Sequence, residues 1–109
     1  MDVQSAIQLT MKGQEEMLAG HYEEAARAYH EAIRLAPRLD GAYFQYASAL
    51  LWRGLPNEAL LALDRCVALA GPWREHASGL ASEVRAQLGA PPHKKASKLA
   101  AIKGKVLRS

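Results

Sequence analysis

The chain has 109 residues, half of them apolar, with a formal charge of +3 and a single cysteine, Cys66. That length supports one small hydrophobic core, the lone cysteine excludes an internal disulfide and a cysteine-rich metal site, and no run approaches the ~18 apolar residues of a membrane-spanning helix. The charge is divided unevenly. Residues 1–92 carry eight Lys/Arg and eleven Asp/Glu, whereas residues 93–109 carry six basic residues (Lys94, Lys95, Lys98, Lys103, Lys105 and Arg108) and no acid. The high pI belongs to the tail, and the mildly acidic body gives no reason to expect nucleic acid there. The start of the chain has no basic segment leading into an apolar run, so no signal peptide is expected, and the expected location is cytoplasmic.

In chain order, a first helix is expected from about Val3 to Ala19, ended by Gly20, which takes positive φ without a Cβ clash. A second runs from about Tyr22 to Leu35, with Glu23 and Glu24 in its first turn and Arg34 in its last, an arrangement that suits the helix dipole. Pro37 stops it. Asp40 is the expected N-cap of a third helix, about Gly41 to Arg53, which Gly54 ends. Pro56 suits the first turn of a fourth helix, expected to run to Ala70. Gly71-Pro72 breaks the chain, and a fifth helix follows from about Trp73 to Leu88, closed by Gly89 and Pro91-Pro92.

A shift of 34 residues superimposes parts of this pattern on one another. Gly20 falls on Gly54, Glu24-Ala25 on Glu58-Ala59, Ala28 on Ala62, and Leu35-Ala36 on Leu69-Ala70. Glycine and alanine matching in register is more telling than leucine matching leucine, and a period of this length signals a helical repeat. The small residues Ala25, Ala32, Ala47 and Ala59 let paired helices approach closely, while Tyr29 and Leu63 fill the remaining space. One hairpin cannot bury its apolar stripe alone, so the two must stack.

These residues resemble the tetratricopeptide repeat. The first repeat (about 6–37) matches through Gly13, Gly20, Tyr22, Ala25, Tyr29, Ala32 and Pro37. It departs at Leu9, Lys12 and Glu16, which implies a more loosely packed first helix. The second (about 40–71) matches through Tyr43, Ala47, Gly54, Ala59 and Leu63, with Cys66 at the last small position and Gly71 in place of the proline. Residues 73–88 resemble the capping helix of such arrays. The resemblance implies an all-α fold, two helical hairpins plus a C-terminal cap in an α-α superhelix. Residues 1–89 then form the domain, and 90–109 a basic, flexible tail.

The resemblance also implies a concave groove that holds a segment of another protein, in an adaptor or chaperone-like role. Its positions here are Ile7, Thr10, Gln14 and Met17 from the first repeat, and Gly41, Phe44, Gln45, Ser48, Leu51 and Trp52 from the second. Aromatics at such spacing also serve as core, and Trp52 could instead pack on the fifth helix. In relatives that grip an acidic C-terminus, basic and amide residues form a clamp. Here Thr10, Gln14, Gln45, Glu75 and Gly79 stand at those positions, so that ligand is not expected. The groove is apolar and amide-lined, suited to hydrophobic anchors. A fainter likeness is to the small tetratricopeptide chaperones of bacterial type III secretion.

No catalytic, cofactor or metal constellation stands out. Cys66 sits at a buried helical register, where a thiol is inert packing. His21, His30, His76 and His93 show no i, i+4 metal spacing, and Glu15-Glu16 and Glu23-Glu24 read as solvated faces rather than paired carboxylates. An enzyme is not expected. In the tail, Leu99, Ile102 and Val106 recur at i, i+3 and i+7, so a basic amphipathic helix touching nucleic acid or an anionic membrane is the alternative to disorder. The exposed ends of a short solenoid also leave room for a homodimer.

Overall fold

The computed structural model describes residues 2–89. They form five helices: α1 (Val3–Leu18), α2 (Tyr22–Leu35), α3 (Asp40–Trp52), α4 (Pro56–Ala68) and α5 (Arg74–Leu88). Each packs antiparallel on the next, so α1, α3 and α5 form one layer and α2 and α4 the other. The dimensions of 44 × 30 × 20 Å are those of a two-layer slab one helix long. The expected all-α architecture, two hairpins and a closing helix, is what the described residues adopt.

The punctuation is mostly as the residues dictate. Gly20 (φ 82°) and Gly54 (φ 78°) take the left-handed conformation just past α1 and α3, where a Cβ would be strained. α4 ends two residues earlier than expected, because Ala70 turns left-handed (φ 55°) without being glycine. That turn lets Gly71-Pro72 redirect the chain into α5, and an L-residue held there costs about 1–2 kcal/mol. α1 has a cap that was not anticipated, the Asp2 carboxylate accepting the Ser5 N–H at 3.1 Å.

Asp40 is a correction. It is the first residue of α3, not its cap; Leu39 holds the cap position without a side-chain bond. Its carboxylate instead accepts the backbone N–H of Trp73 at 3.2 Å, and its carbonyl accepts the Cys66 thiol at 3.3 Å. Asp40 thereby ties the start of α3 to the start of α5. A Cβ on Gly71 would lie 2.1 Å from that carboxylate, so the glycine is required where the repeat pattern has proline.

The core runs continuously along the slab. Ala6, Ala32, Ala36 and Ala42 fill one stretch, Met17, Ala25, Tyr29 and Ala49 the next, and Phe44, Leu50, Leu51, Leu63 and Val84 the largest. α1 is not loosely held. The Tyr29 ring lies so close to Gly13 that a Cβ there would stand 2.5 Å from it. Alanine at the contact positions permits close approach of paired helices, and the Tyr29 ring fits where the facing Gly13 has no side chain.

Candidate functional site: the cleft between α1 and α3

α1 and α3 lie in the same layer, and a shallow cleft of about 240 Å³ opens between them. Ile7, Thr10, Met11 and Gln14 line it from α1; Leu39, Gly41, Ala42 and Gln45 from the α3 side; the Trp73 indole closes one end. The α1 wall carries a row of exposed apolar side chains. Val3, Ile7 and Met11 recur every fourth residue and Leu18 follows seven later, so all four fall on one face. They are 40–83% exposed.

The other walls are set by small residues and by the tie at Asp40. Gly41 leaves α3 bare, and a Cβ there would meet the Trp73 indole nitrogen at 2.9 Å. The indole therefore lies against helix backbone. Beneath it is the Phe44 ring, with centroids 4.9 Å apart, and beside it His76 at 5.7 Å. The Thr10 hydroxyl donates to the Ala6 carbonyl at 2.9 Å, so it is satisfied by its own helix. The amides of Gln14 and Gln45 supply the cleft's polar groups. It offers an apolar wall, a flat aromatic end and amide hydrogen bonds, and among the described residues no titratable side chain lines it.

Of the expected groove residues, Ile7, Thr10, Gln14, Gly41 and Gln45 come together here. Met17, Phe44, Ser48 and Leu51 do not face the groove; they are between 1% and 7% exposed. For Phe44 the reason is α5, whose Trp73 and His76 lie over it. Met17 joins Tyr29 and Ala49 in the core, and the Ser48 hydroxyl donates to the Phe44 carbonyl at 3.0 Å. Trp52 is half-buried and stacks on Tyr22 of α2, centroids 5.0 Å apart, rather than on α5. Met11 and Trp73 are lining residues that the sequence reading missed. Met11 was legible as the next step of the Val3–Ile7 spacing; Trp73 was not, since its placement depends on Asp40, 33 residues away.

A second concavity was also missed. Between α2 and α4, cavities of about 300 and 490 Å³ share Tyr43, Leu61 and Arg65. Leu61 is 67% exposed. The adjacent pair Leu60-Leu61 carried the signal, because neighbours on a helix cannot both face inward.

The remaining groups have local roles. Cys66 is fully buried and burial pushes its thiol up to about 11, which holds it protonated and unreactive. Glu16, His21 and Glu24 converge across the α1–α2 turn, where His21 Nδ1 stands 2.9 Å from the Glu16 carboxylate. The ion pairs Arg27–Glu23 and Arg34–Glu31 are exposed and contribute little. Lys94, Lys95, Lys98, Lys103, Lys105, Arg108 and the Leu99–Ile102–Val106 pattern lie outside the described residues.

Stacked antiparallel hairpins with a closing helix and an open face define a helical-repeat protein. Residues 6–39 match the tetratricopeptide repeat family. Such repeats are modules of contact between proteins. Comparison with curated proteins and with solved structures finds no match. Among the described residues no helix is long and apolar enough to cross a membrane.

Proposed function

We propose that the chain holds a segment of a partner polypeptide in the α1–α3 cleft, as an adaptor or chaperone-like module. The observation that carries this reading is the row of exposed apolar side chains on α1, Ile7 and Met11 above all, flanking a cleft with a fixed aromatic end. An isolated exposed leucine needs no explanation, but four aligned on one helix beside a concavity mark a contact surface. With the Gln14 and Gln45 amides among its described lining residues, the cleft suits a segment anchored by two or three hydrophobic residues, its backbone hydrogen-bonded by the amides.

The test uses exposed positions only. Ile7→Glu with Met11→Glu is expected to abolish recovery of the partner by a tagged full-length chain while leaving the helical circular-dichroism spectrum and the urea midpoint unchanged. Undiminished recovery by this folded variant refutes the cleft. Phe44 and Leu51 are unsuitable for the purpose, because polar groups there would disrupt the core.

A further inference from the structure

The concavity between α2 and α4 belongs to the layer opposite the α1–α3 cleft, and the α4 residues along it form a pattern that complements itself. Glu58, Leu61 and Arg65 follow one another at i, i+3 and i+7, so they share one face of the helix, and all three are exposed. Leu61, 67% exposed, stands at the rim of both cavities. Below it the floor is apolar and aromatic, made by Ile33, Tyr43, Tyr46 and Leu50. A large exposed side chain over an apolar hollow is a knob without a partner.

The charges on this helix are arranged about the same point. α4 carries three charged side chains, and one of them, Asp64, is taken by Arg85 of α5 at 2.6 Å. Glu58, in the first turn, and Arg65, in the last, make no ion pair with any described residue, although both line one cavity. They lie about 10 Å apart along the axis at ~1.5 Å per residue, and the midpoint between them falls between Leu61 and Ala62. A second α4 laid antiparallel across that midpoint brings Glu58 of each copy to Arg65 of the other. It also sets the two Leu61 side chains against each other at the two-fold axis, with the small Ala62 beside them. A partner of a different kind would need only half of this pattern. A patch symmetrical about one point is what a two-fold interface requires, because the same surface serves both sides.

We infer that two copies of this chain pair antiparallel through α4, with Glu58 bonded to Arg65 twice across the interface and the two Leu61 side chains closing the facing concavities. The contact is small. A 13-residue helix is ~20 Å long, so an interface confined to α4 and the cavity rims stays below the ~800 Å² per partner of a standard complex. The dimer is accordingly reversible, with a dissociation constant on the order of 10–100 μM. It leaves the α1–α3 cleft of each copy open, since that cleft lies on the other layer, and it presents two clefts at once.

Sedimentation velocity of the full chain from about 5 to 500 μM, in about 50 mM salt, tests the pairing without any other protein. The mean mass is expected to rise from monomer towards dimer over that range. Arg65→Glu and Glu58→Arg each put two like-charged pairs across the interface, and each alone is expected to weaken association at least about tenfold. Mixed in equal amounts, these two variants are expected to dimerise again, because each supplies the charges the other lacks; the chain carrying both reversals is expected to dimerise as well. Leu61→Asp is expected to stay monomeric. All these positions are exposed, so the helical circular-dichroism spectrum is expected to remain that of the parent. Ile7→Glu with Met11→Glu, on the other layer, is expected to dimerise as the parent does. A monomer at every concentration, the result if the concavity takes a different protein or another part of the chain, overturns the inference. So does a dimer indifferent to the single reversals, a mixture that fails to recover, or a dimer lost in the folded Ile7→Glu, Met11→Glu variant.

Discussion

Gly13 and Gly79 both lie inside helices, and the structure assigns opposite signs to the same substitution at the two positions. Glycine to alanine within a helix gains about 1 kcal/mol of propensity at either site. Around Gly79 nothing stands within 4 Å of the added Cβ, so Gly79→Ala is expected to stabilise by the full amount. At Gly13 the same atom would lie 2.5 Å from Tyr29 Cε1 and 2.8 Å from Cδ1 and Cζ, well inside the ~3.5–4.0 Å of a relaxed carbon contact. Tyr29 is fully buried and has no open space to move into. Overpacking of this kind costs about 1–3 kcal/mol, leaving Gly13→Ala neutral to about 2 kcal/mol destabilising. The difference between the two variants, about 1–3 kcal/mol, is then the packing penalty itself. Urea titrations followed by far-UV circular dichroism would read it as midpoints moving in opposite directions, or as a gap of about 4–20 °C in melting temperature. Equal stabilisation by both substitutions would refute the account of how α1 is held on α2.

Other expectations follow from single features. The Tyr29 hydroxyl is buried with no hydrogen-bond partner among the described residues, so Tyr29→Phe is expected to be neutral or to stabilise by up to about 1–2 kcal/mol in the same titration; a loss of 1 kcal/mol would mean that the hydroxyl is bonded. Ala70→Gly relieves a left-handed alanine and is expected to raise stability by about 1 kcal/mol, and a lowered midpoint would contradict it. Cys66 has its thiol raised from 9.0 to about 11 in the fold, so its contribution is fully present below pH 9 and is lost as pH rises through 11. Stability is accordingly expected to decline between pH 9 and 11, less steeply in Cys66→Ala, and the native thiol to resist alkylation at pH 8 that proceeds readily in urea. A native thiol alkylated as fast as the unfolded one would refute its burial.

The elements themselves were legible because their signals are local. Gly20, Gly54 and Pro37 end helices for reasons contained in their own backbones, and the 34-residue offset repeats those stops at equal distances. The alternation of small and large residues then required hairpins to pair and stack. Ile7, Thr10, Gln14 and Gln45 line the cleft between α1 and α3, since residues on those helices that do not meet α2 or α4 have one direction left.

What remained undetermined in the sequence was which of those side chains another element would cover. Periodicity identifies the face of a helix and not what lies over it, so Phe44, Ser48 and Leu51 could not be told from Gln45 until α5 was in place. Asp40 shows the same limit. Its position before an apolar run reads as a cap, yet its carboxylate turns to Trp73, because Gly71 leaves a gap that only the folded chain brings beside it. Chain-local stereochemistry sets where helices start and stop; contacts between residues about 30 positions apart decide which side chains stay in water, and so where a partner can bind.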